Sequence, residues 1–436
     1  MIEAASPSGT VERLRRTFDS GRTRPLEWRR GQLQAIGEML ERRGDDMVEA
    51  MRADITRPEL ECRMELGVCT NETSYALDNL ESWMRPEPVG LQPVPGRQRI
   101  VREPRGVVLI VGPWNCPVEL LVVPLVGALA AGNCAVLKPS ELSPRCSALM
   151  AATVPEFLDP DAVAVVEGGA DETAALLEQQ WDHIFYTGGG AVGRVVAEAA
   201  ARQLTPVTLE LGGKSPCIVD DDVDLDKAAR RIAWGKYFNA GQICISPDYV
   251  LVKREREEEL VAALARVTEE FFGTDPRSSA DFGRIVNERH HARIARLMKD
   301  GRPAFGGEAE AADRYIAPTV LQDVAPDSDL MQEEIFGPVL PVLPVDSIGE
   351  AIEFVNRRDR PLALYLFTRR QEVEDEVLSR TSSGGACVNG TMLHAASPEM
   401  PFGGTGASGL GAYHGRHSFE SFSHRKAVFT QGRQDI

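Results

Sequence analysis

The chain has 436 residues, of which 43% are hydrophobic and 26% are charged. A chain of this length and ordinary globular composition is expected to form two or three domains around substantial cores. Its formal net charge of −17 would repel phosphate backbones, which argues against a nucleic-acid partner.

The sequence shows no targeting, membrane or metal-binding pattern. Residues 1–7 lack the basic start and apolar core of a signal peptide, and residues 430–436 are polar, so we expect no membrane anchor. The most apolar stretch, residues 118–136, is interrupted by Glu119, Pro124 and Gly127, which predicts a buried helix followed by a turn. The eight cysteines include no Cys-x-x-Cys pair, and no His/Cys group has metal-ligand spacing. This usage predicts reduced thiols, a cytoplasmic location and no metal.

The predicted elements begin with helices over residues 10–82, where Leu33, Ile36 and Leu40 recur at helical spacing. Residues 85–105 differ in character, with four prolines between positions 85 and 95. Such a segment is expected to be extended, is compatible with an edge hairpin, and is a candidate domain boundary.

From residue 106 onwards, short apolar runs alternate with helical patterns. Strands are predicted at 107–111, 134–138, 162–166, 183–186 and 207–211, and helices at 119–131, 143–157, 173–180 and 191–203. This alternation predicts a doubly wound parallel sheet, which binds ligands beyond the carboxyl ends of its strands.

A second α/β unit is predicted over residues 215–392. Its strands are expected at 217–219, 249–252, 339–343, 362–367 and 386–389, with helices starting at Leu225 and spanning 255–272. The charged run 255–259 and the pair His290-His291 are both predicted to lie on solvated helix faces.

A glycine-rich turn follows the fourth strand of the first unit. Gly188, Gly190 and Gly193 satisfy Gly-x-Gly-x-x-Gly between a strand and a helix, and Glu210 follows Gly188 after 22 residues. In this context the pattern indicates a dinucleotide site with the pyrophosphate at the helix N-terminus and Glu210 at the ribose. The alternative is a tight strand-to-helix turn.

Cys244 lies between Ile243 and Ile245, after the small residues 239–241. This arrangement can present a sulfur at the mouth of an apolar pocket. The alternative is an inert buried cysteine, which is the commoner role for a lone thiol in apolar surroundings.

Five motifs follow one another along the chain: Pro-Trp-Asn at 113–115, Lys-Pro-Ser-Glu at 138–141, Glu-Leu-Gly-Gly-Lys-Ser-Pro at 210–216, Gly-Gln-Ile-Cys at 241–244 and Glu-Glu-Ile-Phe-Gly-Pro at 333–338. In order and spacing they resemble the signature series of the aldehyde dehydrogenase superfamily. The tail at 411–424 is similar to that of the class 3 branch, which handles fatty and aromatic aldehydes. The resemblance covers about residues 10–427.

The resemblance implies an α/β fold of the aldehyde dehydrogenase type, with two doubly wound parallel-sheet domains and a small β bridging element. Residues 1–84 and 106–208 would form the NAD(P)-binding domain, and residues 209–392 the catalytic domain. Residues 85–105 and 393–436 would form the bridging and oligomerisation element of a homodimer.

The resemblance also implies NAD(P)-dependent oxidation of a small-molecule aldehyde to a carboxylic acid. Cys244 would form a thiohemiacetal and then a thioester, and Asn115 with the N–H of Cys244 would stabilise the alkoxide. Glu210 becomes the general base that activates the hydrolytic water, in place of the ribose contact suggested by the glycine motif. A CoA-acylating or acyl-reducing relative would need a lasting thioester, which Glu210 argues against. A non-catalytic binding protein is expected to lack Cys244, Glu210 or Asn115, and all three are present.

The cofactor implied is NAD or NADP, with a slight preference for NAD because the charge of Glu141 favours a ribose 2′-hydroxyl over a 2′-phosphate. By resemblance, Lys138 and Glu141 contact a ribose, Trp114 lines the adenosine side, Glu334 and Phe336 position the nicotinamide, and Gly188, Gly193 and Leu211 lie near the cofactor. Gly189 stands where many relatives have Ser or Asn, so the local contacts there are open.

Two positions depart from the class 3 pattern. Cys116 and Glu119 stand where those relatives usually carry an aromatic residue and a polar amide. If both face the substrate, the pocket is wider and more acidic than usual and suits a polar or amine-bearing aldehyde; alternatively, both pack elsewhere. The resemblance also places His414 near the aldehyde.

Overall fold

The computed structural model describes residues 7–90 and 96–431. Its helices are α1 (Pro7–Asp19), α2 (Leu26–Ile55), α3 (Glu59–Met84), α4 (Glu119–Ala131), α5 (Pro144–Phe157), α6 (Ala170–Leu177), α7 (Gly190–Arg202), α8 (Leu225–Tyr237), α9 (Glu257–Phe272), α10 (Glu288–Leu297), α11 (Asp329–Gln332), α12 (Ile348–Asn356), α13 (Gln371–Arg380) and α14 (Gly415–Ser421).

Its strands are β1 (Glu87–Pro88), β2 (Arg97–Pro104), β3 (Val107–Val111), β4 (Cys134–Lys138), β5 (Val163–Val165), β6 (His183–Thr187), β7 (Val207–Glu210), β8 (Pro216–Val219), β9 (Tyr249–Lys253), β10 (Arg302–Phe305), β11 (Ala309–Glu310), β12 (Tyr315–Ile316), β13 (Thr319–Gln322), β14 (Val339–Val345), β15 (Ala363–Phe367), β16 (Gly385–Val388), β17 (Gly409–Leu410) and β18 (Ser423–Thr430).

The first α/β unit is a six-stranded sheet in the order β17-β7-β6-β3-β4-β5. Strands β3 to β7 are parallel, and β17 joins the edge antiparallel to β7. Every residue of β3, β4 and β6 is buried, as expected for parallel strands covered by helices on both faces. All five predicted strands of this unit are confirmed, with ends that differ by no more than one residue.

The second α/β unit is a seven-stranded sheet in the order β10-β13-β14-β9-β8-β15-β16. Its strands are parallel except for β10, which pairs antiparallel with β13 at the edge. The five predicted strands are present, while β10 and β13 did not emerge from the sequence patterns.

A third, small sheet has the order β1-β2-β18 and is antiparallel. Strand β1 pairs with β2, as the prediction of a hairpin suggested, although residues 91–95 of that segment lie outside the described residues. Together the three sheets confirm the predicted α/β architecture with two parallel-sheet units and a small β element. The proposed domain boundaries stay predictions. The tail serves two sheets, since β17 joins the first unit while β18 joins the small sheet.

Helix α4 is apolar on every side, and from Leu120 onwards all of its residues are buried. A helix of this kind needs cover all round, and α2, α3 and α14 pack against it opposite the sheet. The predicted buried helix and turn are therefore confirmed.

Within the described ranges, no helix is long and apolar enough to cross a membrane, and no group of His, Cys, Asp and Glu side chains could hold a metal ion. Residues 1–6 and 432–436, on which the predictions of no signal peptide and no anchor partly rest, lie outside those ranges.

The prediction of a solvated face for His290 and His291 is wrong. His291 is buried and its Nε2 lies 3.0 Å from the carbonyl oxygen of Tyr315. His290 is partly buried and its ring lies against that of Trp114, with 5.6 Å between the centroids. The arginines around the pair suggested solvent, but α10 turns this face towards the interior. By contrast, Glu255, Glu258 and Glu259 are exposed as predicted.

Candidate active site

The first α/β unit brings several predicted site residues to one edge of its sheet. Asn115 follows β3, Gly188 follows β6, and Glu210 is the last residue of β7. Because parallel strands end at the same edge, residues far apart in sequence meet there. This edge faces the segment of the second unit that carries Cys244, so that Asn115, Glu210 and Cys244 line a common cavity.

We call this space, of about 250 Å³, the strand-end cavity. Most of its wall consists of residues at or just beyond the strand ends, with Cys244 and parts of the second unit opposite. It is lined by Pro113, Trp114, Asn115, Leu120, Thr187, Gly188, Gly189, Glu210, Leu211, Gly212, Cys244, His290, Arg293, Glu334 and Phe336.

Cys244 follows α8 and a tight turn, Phe238–Gly241. Asn239 and Ala240 adopt left-handed backbone conformations, with φ of 49° and 50°. Gly241 also has positive φ, and a Cβ there would lie 2.3 Å from the carbonyl oxygen of Gly337, so this position requires glycine. The turn leaves the Cys244 side chain partly buried at the cavity wall.

The pKa of the Cys244 thiol is raised, first by burial and then by the carboxyl groups of Glu334 and Glu210. Desolvation and nearby negative charge both disfavour a thiolate. In this arrangement the sulfur is therefore held as a neutral thiol, and a nucleophilic role requires a neighbouring group that accepts its proton.

Asn115 is 3% exposed and its side chain is fixed by a hydrogen bond. Its Nδ2 donates to the carbonyl oxygen of Gln242 at 3.0 Å. One amide hydrogen is thereby used, and the second remains available on a side chain that lines the cavity. This geometry ties the candidate oxyanion donor to the segment immediately before Cys244.

Glu210 is 2% exposed, and among the described residues neither of its carboxyl oxygens has a hydrogen-bond partner. Burial raises the pKa of this carboxyl well above its ordinary value. A buried carboxyl without a partner is unfavourable for folding and is typical of functional positions. Its place beside the thiol fits a group that exchanges protons within the cavity.

Glu334 and Phe336 contribute the opposite wall. Burial, followed by the charge of Asp248, raises the pKa of Glu334 to about 8. A Cβ on Gly212 would lie 2.1 Å from Oε2 of Glu334, so a side chain there would displace the Glu334 carboxyl. The Phe336 and Trp114 rings meet edge to face with 5.5 Å between centroids.

The remaining predicted cofactor residues divide into two groups. Gly188 and Leu211 line the strand-end cavity, whereas Lys138, Glu141 and Gly193 lie outside its wall. Lys138 is buried, with its Nζ donating to the carbonyl oxygen of Pro139 at 2.7 Å, and burial lowers its pKa. Glu141 is exposed.

A second space of about 210 Å³, the helix-side cavity, lies on the other side of Cys244. It is mostly apolar, and its wall comes from α3, α4, α8 and the segments around residues 392–396, 402 and 413–414. The lining residues are Arg57, Met64, Glu65, Val68, Asn115, Cys116, Glu119, Leu120, Trp234, Phe238, Ile243, Cys244, Ile245, Met392, Leu393, Ala395, Ala396, Phe402, Tyr413 and His414.

Cys116, Glu119 and His414 all line the helix-side cavity. Glu119 stands in the first turn of α4, and burial, followed by the charge of Glu65, raises its pKa to about 8. His414 is buried with its ring stacked on Phe402 at 5.3 Å, and burial lowers its pKa to about 4. Cys116 and Glu119 thus share one cavity wall with Cys244, and their contact with a substrate stays a prediction.

Sequence reasoning missed the buried charges beside this cavity. Arg57 lies in the junction between α2 and α3, and Glu61 and Glu65 follow at spacings of four residues. The i, i+4 spacing was a usable signal, but it is also typical of exposed ion pairs on helices. His290 and Arg293, both in the strand-end wall, were missed because their helix was assigned to solvent.

Comparisons with known proteins point to one family. The family model of the aldehyde dehydrogenase family matches residues 4–428. The human aldehyde dehydrogenase family 3 member B1 is 49% identical over 421 residues, which cover 96% of this chain and 90% of that protein.

Two solved structures are also similar. A substrate-bound state of Staphylococcus aureus AldH has a TM-score of 0.96 and 38% identity, covering 98% of this chain and 94% of that one. An aldehyde dehydrogenase of Mycobacterium tuberculosis complexed with NAD+ has a TM-score of 0.87 and 30% identity, covering 97% and 90%. The motif-based assignment is confirmed, and this chain belongs to the aldehyde dehydrogenase family.

Proposed function

We propose that this chain oxidises an aldehyde to a carboxylic acid, with NAD or NADP as hydride acceptor, through covalent intermediates on Cys244. The observation that carries the proposal is the meeting of three groups in one cavity. The Cys244 thiol, the Asn115 amide and the unpartnered carboxyl of Glu210 all line it. Family membership gives the reaction class, and the geometry gives each group a task.

The first step is attack of the Cys244 sulfur on the aldehyde carbon. Because the thiol pKa is raised, its proton must pass to an acceptor as the carbon–sulfur bond forms. Glu210 is the acceptor we propose, since its ionised form has no other partner in the cavity. The free Asn115 amide hydrogen and the N–H of Cys244 then stabilise the alkoxide.

The second half of the reaction removes the acyl group. Loss of hydride from the thiohemiacetal leaves a thioester on Cys244. Glu210 first releases the thiol proton to solvent, which is the net proton of the reaction. Ionised again, it accepts a proton from a water that attacks this thioester, and the carbon–sulfur bond breaks to release the acid. The proton returns to the thiol, which restores the starting state. One carboxyl thus serves both halves of the cycle.

The residues present fit a dinucleotide. A larger space of about 1160 Å³ adjoins the strand-end cavity and includes the N-terminal end of α7 and the cations Arg194 and Arg293. Both features suit a pyrophosphate, and the position of a Cβ on Gly189 meets open space. When bound, the nicotinamide supplies the hydride acceptor.

In this proposal, Glu334 and Phe336 orient the nicotinamide end, and Gly188 and Leu211 lie against it. Lys138 and Glu141 would hold a ribose, with Trp114 and Gly193 on the remaining cofactor path. The negative charge of Glu141 opposes a 2′-phosphate, which supports a slight preference for NAD. Initial rates with each cofactor at matched aldehyde concentration would measure that preference.

The competing outcome for the thioester is transfer to CoA. An unpartnered carboxyl beside Cys244 favours hydrolysis, because it is placed to activate water. We expect equimolar carboxylic acid and NAD(P)H, at a rate that added CoA leaves unchanged. Formation of an acyl-CoA, or aldehyde-dependent binding without NAD(P)H, would reject the hydrolytic proposal in favour of acyl transfer or a non-catalytic role.

We propose that the substrate chain lies in the helix-side cavity and carries an amine. The Glu119 carboxyl lines a wall that is mostly apolar but also carries Arg57 and Glu65, and burial raises its pKa to about 8. An amine donates to such a carboxyl and, when protonated, favours its ionised form.

The test compares amine-bearing aldehydes with alkyl aldehydes of equal length. We expect Glu119→Gln to lower kcat/KM for the amine-bearing series by about 3- to 10-fold relative to the alkyl series. An unchanged ranking of the two series would contradict this substrate class while leaving the reaction itself untouched.

We also propose a cytoplasmic homodimer assembled through the small sheet, where β18 forms an edge. An edge strand offers unpaired backbone groups to a second chain. Sedimentation velocity of the intact protein should give twice the chain mass. A single-chain mass would reject the dimer.

A further inference from the structure

Arg57 is a buried cation that none of the proposed steps uses. It lies between α2 and α3, directly after Thr56, which ends α2 with φ of 53°. Its side chain is 1% exposed. A charge this deep in the protein requires partners, and their identity indicates what it does.

The Arg57 guanidinium contacts the loop that carries the oxyanion donor. It forms an ion pair with Glu65, and Nη1 lies 3.5 Å from the backbone carbonyl oxygen of Asn115. The same nitrogen lies 3.9 Å from Sγ of Cys116. Arg57 Cζ also lies 5.1 Å from the centroid of the Phe238 ring, next to the turn before Cys244.

Glu65 extends this contact to the helix that follows Asn115. Its Oε1 accepts hydrogen bonds from the N–H groups of Val118 at 2.9 Å and Glu119 at 3.0 Å. N–H groups at the start of a helix have no partner within the helix, and a carboxylate is favoured there. One carboxylate therefore joins Arg57 to the first turn of α4.

Glu61 extends the contact to the loop that precedes Cys244. Its Oε2 lies 3.5 Å from Nε of Arg57 and accepts a hydrogen bond from the N–H of Asn239 at 2.8 Å. Asn239 in turn donates from Nδ2 to the carbonyl oxygen of Asn115 at 3.1 Å. The buried charges of the α2–α3 junction thus contact both loops on which the reaction depends.

We propose that Arg57, with Glu61 and Glu65, is a positioning residue that fixes the Asn115 amide relative to the Cys244 sulfur. The inference rests on the oxyanion role proposed for Asn115. An oxyanion donor acts only where the charge develops, and a displacement of about 1 Å can slow a reaction by about 10²-fold. Removal of Arg57 leaves buried carboxylates unpaired, which favours rearrangement of both loops.

A double-mutant cycle of Arg57→Met and Asn115→Ala tests this inference. In the wild-type background, Arg57→Met should slow the pre-steady-state burst of NAD(P)H by about 30- to 100-fold with little change in the KM for cofactor. In the Asn115→Ala background, the same substitution should slow the burst by less than about 3-fold, because the group it positions is gone. Arg52→Met, which removes a surface pair with Glu59 on the same two helices, should leave the burst unchanged.

Equal slowing in both backgrounds, or no slowing in either, would overturn the inference. A normal burst in Asn115→Ala alone would instead reject the oxyanion role. If Arg57→Met does not fold, the cycle is run with Arg57→Lys, which keeps the charge but loses the fork that reaches Glu65 and Asn115 together. That variant should slow the burst by about 10-fold in wild type and not in Asn115→Ala, judged by the same criterion.

Discussion

The two cavities on either side of Cys244 are built in different ways. The strand-end cavity takes most of its wall from residues at the ends of β6 and β7 and just after β3, with Cys244, Glu334 and Phe336 opposite. The helix-side cavity is assembled from three helices and from C-terminal segments near residues 392–396, 402 and 413–414. Asn115, Leu120 and Cys244 belong to both walls.

This difference separates chemistry from selectivity. The groups proposed to exchange protons or stabilise charge stand where sheet topology fixes them, while the helix-side wall is mostly apolar and carries the charged side chains of Arg57, Glu65 and Glu119. We therefore expect the largest losses of turnover from substitution of Cys244 and Asn115, which line both cavities. Substitutions confined to the strand-end cavity should change single steps, and those on the helix side, apart from the Arg57 junction that contacts the Asn115 loop, should change substrate preference and stability.

The largest effect is expected where the two cavities meet. Cys244→Ala removes the nucleophile, and we expect kcat to fall by about 10⁴-fold or more. Cys387→Ala is the matched control, since Cys387 is the other cysteine that is not fully buried. Steady-state NAD(P)H formation measures both. Substantial turnover by Cys244→Ala would remove the basis for placing the chemistry at this boundary.

Asn115→Ala should have the next largest effect. Loss of one oxyanion donor typically lowers the rate by about 10²–10³-fold, and the substitution also removes the hydrogen bond to Gln242. The burst rate should fall within that range while the affinity for NAD(P) stays near wild type. A decrease smaller than about 5-fold would indicate that the alkoxide is stabilised elsewhere.

The strand-end cavity also predicts the pH dependence of acyl release. Burial raises the pKa of Glu210, so its ionised, base-competent form accumulates only as pH rises. Thioester hydrolysis should therefore still increase above pH 6, where a carboxyl of ordinary pKa, about 4.3, would already be ionised. Single-turnover acid release across pH 5–9 measures this. A plateau below pH 6 would show that Glu210 is not the titrating base.

The smallest expected effect belongs to the helix-side cavity. The pKa of Glu119 is raised to about 8, so the folded state favours its protonated form. The contribution of Glu119 to the free energy of unfolding is therefore complete below the ordinary pKa of a glutamate, and it is lost as pH rises through about 8. The glutamine of Glu119→Gln does not titrate. The Tm of this variant minus that of wild type should therefore increase by about 1–4 °C from pH 5 to pH 9.

The control for that measurement is Glu178→Gln, at the exposed end of α6. Its Tm difference from wild type should stay constant across the same pH range. A constant difference for Glu119→Gln as well would mean that Glu119 is ionised in the folded protein at all of these pH values.

The sequence predicted the strand-end cavity better than the helix-side cavity, for a physical reason. Parallel strands end at one edge, so the positions of Asn115, Gly188 and Glu210 at or just after the ends of predicted strands already place them together. The family motifs then corrected the role of Glu210, which the glycine pattern alone had assigned to the ribose. The fold class followed from the same alternation of strands and helices.

The helix-side cavity depends on packing between segments more than 300 residues apart, such as α3 and the turn at His414. No local pattern specifies such packing, so only the departures at Cys116 and Glu119 and the tail motif pointed to it. For the same reason the charged junction at Arg57 was missed and His290 was placed in solvent. Long-range contacts, more than secondary structure, limit what this sequence reveals.

The most direct test of the central claim is intact-mass analysis of Glu210→Gln after mixing with aldehyde and NAD(P)+. Without the Glu210 carboxyl the Cys244 proton must pass to water, so one equivalent of NAD(P)H should form more slowly than in wild type. Because hydrolysis is lost as well, the protein mass should then increase by one acyl group, located on the peptide that contains Cys244. Rapid turnover without an adduct, or an adduct on another residue, would contradict the account.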